Sequence, residues 1–126
     1  MTFTTLTADM IRTQRDLALD NLEALYVQLD DDIDAISADT ITRQQLICEF
    51  WRSLTDREIA AYEIEIALTI SRDDAQRAYC DLDDACNSTT AAEDPDYIDV
   101  LDQRLLAARV RVDCWTEALA MTYQMR

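Results

Sequence analysis

The chain has 126 residues and carries 26 aspartates and glutamates against 11 arginines, for a net charge of −15, with no glycine, histidine or lysine and a single proline, Pro95. Without histidine there is no His-based triad, imidazole base or two-His metal site. Without lysine there is no Schiff base or P-loop, and so negative a field excludes nucleic acid and anionic membranes as direct partners.

The length suits one domain with one core. The lack of glycine removes the residue that tight hairpins and phosphate-cradling loops need, so helices joined by short polar links are expected. Met1 to Thr7 hold no basic cluster or apolar run, and nothing later approaches the roughly 18 apolar residues of a membrane span. A cytoplasmic protein is expected. Leu6 and Ile11 form a hydrophobic staple around Thr7 as N-cap, after which apolar residues recur at Ile11, Ala18, Leu22, Leu25, Leu29, Ile33 and Ile36. This spacing predicts a first helix of about seven turns. It runs into Asp30, Asp31, Asp32 and Asp34, carboxylates at the negative end of the helix dipole, where fraying is expected.

Thr42 with Gln45 matches a capping box, with Ile41 and Leu46 as its staple, and predicts a short second helix from Arg43 that carries Phe50 and Trp51. Thr55 with Glu58 repeats the device, with Leu54 and Ile59 as staple, and predicts a corner over residues 52–55 and a new helix from Asp56. Two apolar stripes follow: Ile59, Tyr62, Ile66 and Ile70, then Ile64, Leu68, Ala75, Tyr79 and Leu82. A helix apolar on two sides reads as the central member of a bundle. It runs to Cys86 unless Ser71 and Asp74, a weaker capping signal, break it. After a loop over residues 87–92, Asp94 as N-cap, Pro95 as first helical residue and Asp96 start the last helix. There Ile98, Leu101, Leu105, Ala108, Val112, Trp115 and Leu119 alternate spacings of three and four, a heptad seam that serves a bundle core more often than a dimer. The elements together predict an all-α, single-domain bundle of four to five helices. Cys48, Cys80, Cys86 and Cys114 lie in apolar patterns without a C-x-x-C pair, so reduced core thiols are expected, with no zinc and no cofactor.

One enzyme class survives these exclusions, a carboxylate-only, magnesium-dependent all-α nucleotide hydrolase, for which Asp81 with Asp84 and Asp99 with Asp102 offer pairs three residues apart. All-α nucleotide pyrophosphohydrolases use E-x-x-E pairs. This chain has none, and its nearest approach, Glu63 and Glu65, points to different helix faces. A non-enzymatic role is expected.

The acids are not spread evenly. Residues 73–102 hold ten of them against one arginine, while residues 103–126 are net positive by two. A salt-adapted protein would carry its acids over the whole surface, and a GC-rich genome would explain only the preference for arginine over lysine. Glu93, Asp96, Asp99 and Asp102 repeat every third residue, a ladder with about 4.5 Å of rise per rung. Like charges at this spacing weaken a helix. Asp94 and Asp96 complement the positive helix end, but Asp99 and Asp102 do not. A rigid carboxylate array that costs stability suits a protein that occupies a basic, nucleic-acid-binding groove on another protein.

In size, in the acidic runs Asp30 to Asp34, Asp81 to Asp84 and Glu93 to Asp102, and in its lack of catalytic motifs, the chain resembles the small acidic helical inhibitors of phages and mobile elements, anti-CRISPR proteins above all. The resemblance implies binding to a subunit of a DNA-targeting complex, a CRISPR effector subunit or a nuclease, and blocking of DNA or nuclease recruitment. The partner-binding residues expected on this reading are Glu93, Asp96, Asp99, Asp102, Asp81, Asp84, Asp30, Asp31, Asp32 and Asp34. A second reading is an assembly protein of a phage or mobile element whose last helix, through Ile98, Leu101, Leu105 and Trp115, forms a homodimer or joins a larger particle.

Overall fold

The computed structural model describes residues 5–34, 36–54, 57–87 and 95–124. A two-residue strand β1 (Thr5–Leu6) leads into helix α1 (Ala8–Asp31). Thr7 is its N-cap, its Oγ1 accepting the Met10 N–H at 3.3 Å. Leu6 and Ile11 on either side are fully buried, which is the staple the sequence announces. The helix ends at Asp31, short of Ile33 and Ile36. Its last turn has no basic residue to offset its carboxylates, and the Asp32 side chain instead accepts the Asp34 N–H at 3.1 Å in a local turn.

Helix α2 (Ala38–Ser53) begins five residues before the expected Arg43. Ser37 caps it by accepting the Thr40 N–H at 3.2 Å, and Ile36 and Ile41 hold the same N′ and N4 positions that Leu6 and Ile11 hold around Thr7. Thr42 therefore lies inside the helix, and the Gln45 amide donates to the Tyr26 hydroxyl at 2.8 Å and closes no capping box. The expected start at Asp56 is also displaced. Thr55 and Asp56 lie outside the described residues, Arg57 and Glu58 are not helical, and Ile59–Ala60 form a strand, β2. β2 pairs antiparallel with β1, Thr5 opposite Ala60 and Leu6 opposite Ile59. Leu6 and Ile59 are buried in one core cluster, so tertiary burial at this clamp outweighs the local capping signal.

Helix α3 (Ala61–Cys86) then runs unbroken through Ser71. Its buried residues, Ile64, Leu68, Ser71, Ala78 and Ala85, form a heptad row, and a break at Ser71 would interrupt it. The partner is helix α4 (Pro95–Gln124), whose heptad row is buried at Leu101, Leu105 and Ala108 and half-buried at Ile98, Val112, Trp115 and Leu119. Pro95 is its first residue, as expected. Asp94, the expected cap, is outside the described residues. The pair is antiparallel, tied by Arg104 to Asp81 at 2.8 Å near one end and by Tyr123 to Glu65 at 3.0 Å near the other.

α4 also carries a second buried row, Val110, Cys114 and Ala118, which joins the main core with Cys48, Phe50, Trp51 and Leu54 of the α2 segment. Phe50 makes edge-to-face contacts with Trp51 at 5.1 Å and Trp115 at 4.8 Å, the arrangement the ring quadrupoles favour. The all-α bundle is thus laid out in the order α1, α2, α4, α3, with four helices among the described residues. α4, and not α3, is the central member. α3 has one extensive helix neighbour, so its other apolar stripe, Tyr62, Ile66 and Ile70, faces solvent.

The same edge position corrects the cysteine reading. Cys48 and Cys114 are buried, but Cys80 and Cys86 on α3 are exposed. Burial pushes the Cys48 thiol up, and it pushes Cys114 up to about 12, helped by the nearby Glu117 and Asp113 carboxylates.

Candidate functional site

Asp96, Asp99 and Asp102 stand exposed on the first turns of α4, and Asp81 and Asp84 are exposed on the last turns of α3. Because the two helices are antiparallel, these acids share one end of the molecule. Asp39, in the first turn of α2, lines a small cleft with Asp102, Leu105, Leu106 and Arg109, which brings the start of α2 to the same end. The carboxylates that close α1, Asp30, Asp31, Asp32 and Asp34, are exposed and only a short connection from that start. Acidic runs far apart in sequence are thus gathered at one end of the bundle. Glu93, the first rung of the ladder, lies outside the described residues.

Within this end Asp81 differs from the rest. Its carboxylate is bound by the Arg104 guanidinium, with both side chains about half-exposed. That contact removes Asp81 as an unencumbered metal ligand beside Asp84, and no group of three or more cysteines, aspartates or glutamates among the described residues is arranged to hold a metal ion. Asp99 and Asp102 are exposed on one helix, and Asp102 also borders the cleft shared with Asp39 and Arg109.

Sequence reasoning missed the apolar residues set among these acids. Ile33, between Asp32 and Asp34, is 79% exposed, Val100 is 64% exposed and Tyr97 is 46% exposed. The signal was available for α4, since Tyr97 and Val100 fall off the row Ile98, Leu101 and Leu105. Large apolar side chains rimmed by charge mark protein-binding surfaces more than simple solvated faces. The α4 heptad seam is another matter: it is taken up within the chain against α3 and α2.

A second charged region lies on the side of the molecule, where α2, α3 and α4 enclose an open groove of about 510 Å³. Arg43, Arg72 and Arg109 line it with Ala75, Gln76, Tyr79, Leu105, Val112 and Asp113. Arg43 reaches Asp113 at 2.6 Å. No sequence signal pointed to this group, because its arginines lie on three helices at no regular spacing.

No protein-family model, curated protein or solved structure matches the chain. No described helix is long and apolar enough to cross a membrane.

Proposed function

We propose that this protein is an inhibitor that works by binding, docking its acidic end on the basic, nucleic-acid-binding surface of a DNA-targeting complex in the manner of an anti-CRISPR protein or DNA mimic. The observation that carries this reading is the combination found at that end: exposed carboxylates from α1, α3 and α4 with Ile33, Tyr97 and Val100 among them. Carboxylates steer and orient the encounter with a cationic groove, and the apolar groups supply contacts that free phosphates do not. The concentration of acids toward this end is what a purely salt-adapted surface would lack. Assembly through the last helix is less well supported, because its seam is occupied inside the chain.

The test begins with capture of a partner from cells that carry CRISPR or restriction systems, followed by association rates for the parent and for the variant D96N/D99N/D102N at two salt concentrations. At low salt the variant should associate about tenfold more slowly or worse, with a flatter salt dependence, because steering charges act on the encounter rate. Equal rates for parent and variant at both salts would remove the ladder as the docking surface.

A further inference from the structure

The groove between α2, α3 and α4 points to a ligand of its own. Arg72 and Arg109 make no ion pair or hydrogen bond with any described residue, although they come from different helices and line the same cavity. Arg43, the third guanidinium, is held by Asp113 at 2.6 Å, and Asp113 is the only acid among the described residues on the groove wall. Arg109 also borders the cleft that contains Asp39 and Asp102 but pairs with neither. In a chain with more than two acids for each arginine, leaving two guanidiniums unpaired against the same cavity forgoes available ion pairs and adds repulsion between like charges. An anion between them would reverse that cost, since the guanidinium fork matches the oxygens of a phosphate in bidentate fashion.

The rest of the wall sets the body of such a ligand. Tyr79 adds a half-exposed aromatic ring to the lining, and Leu105 and Val112 add more buried apolar surface. About 510 Å³ falls in the range of small-molecule sites and is far too small for a macromolecular surface. We propose that this groove binds a phosphate monoester with a flat ring, a ligand of mononucleotide size, with its phosphate between Arg72 and Arg109 and its ring against Tyr79 and Leu105. This site adjoins the acidic end through Leu105 and Arg109, which line both the groove and the Asp39–Asp102 cleft, but it does not depend on the docking reading.

Calorimetric titration of the full chain with adenosine 5′-monophosphate, adenosine and inorganic phosphate, at low and moderate salt, tests it. The monophosphate should bind at least about tenfold more tightly than either fragment and weaken as salt rises. R72Q/R109Q should lose at least tenfold in affinity with its helical circular dichroism unchanged, whereas R57Q, a charge control on a residue that does not line the groove, should bind as the parent does. The proposal is overturned if the parent shows no saturable binding of the monophosphate at millimolar concentration, if inorganic phosphate binds as tightly, or if R57Q loses as much as the double variant. Sedimentation showing head-to-tail oligomers that R72Q/R109Q abolishes would overturn it too, by assigning the groove to the acidic end of a second copy.

Discussion

At the acidic end, like charges arrive in runs along single helices, whereas in the arginine groove they arrive one at a time from three helices. The runs at residues 30–34, 81–84 and 96–102 face outward and share the end where α1 meets α2 and α3 meets α4. The arginines, all exposed, come from three helices to line one open groove together with Leu105. The difference teaches what each region can recognise. Outward runs suit a large partner whose surface carries complementary charge, and arginines gathered along one groove suit a small anion.

Both regions hang on the same frame, and the largest perturbation should abolish both together. Trp51 is buried in the core against Phe50. Trp51→Ala should cost about 3–5 kcal/mol of stability in urea unfolding, with partner binding and anion binding lost in parallel. Retention of either activity in the unfolded range would show that the region does not need the bundle.

Alkaline pH loads the core through a buried thiol. Cys114 has its pKa raised from 9.0 to about 12 in the folded protein, so its protonated form is favoured by folding. That contribution is intact below pH 9 and is lost as pH climbs from 9 toward 12, at up to about 1.4 kcal/mol per pH unit. Unfolding free energies measured across this window should fall more steeply for the parent than for Cys114→Ala. The exposed thiols give a simpler check: Cys80 and Cys86 should label rapidly in the native protein, and Cys48 and Cys114 only on unfolding.

Smaller effects separate the two charged regions. Asp81→Asn removes the cross-link to Arg104, but this pair is half-exposed and screened, so the loss should be at most about 1 kcal/mol. D96N/D99N/D102N should raise stability by only a few tenths of a kcal/mol, since it relieves repulsion between neighbours three residues apart. A loss of stability in that variant would mean the ladder holds the fold together and is not maintained at its expense.

Much of the fold is readable from local patterns where a single signal governs the outcome. The staple at Leu6 and Ile11, the start at Pro95 and the end near Cys86 all appear where the apolar spacing and caps put them. The two capping boxes misled for different reasons. At Thr42 an equivalent staple five residues earlier, Ile36 and Ile41, won, and at Thr55 a two-residue pairing with the N-terminal segment drew Ile59 into the core. The central place of α4 depends on Val110, Cys114 and Ala118, a second row that the regular heptad masks. The acidic runs were plain in the sequence because each belongs to one segment, but their meeting at one end depends on the helix order. The arginine groove was illegible, since residues 43, 72 and 109 share nothing until three helices pack.

The most direct measurement is competition at the captured DNA-targeting complex between this protein and a duplex carrying the target sequence. Docking through the acidic end predicts mutual exclusion: bound protein blocks duplex loading, excess duplex displaces protein, and D96N/D99N/D102N is displaced at lower duplex concentration than the parent. A ternary complex in which duplex and protein sit together with undiminished affinity for each would contradict occupation of the nucleic-acid-binding surface.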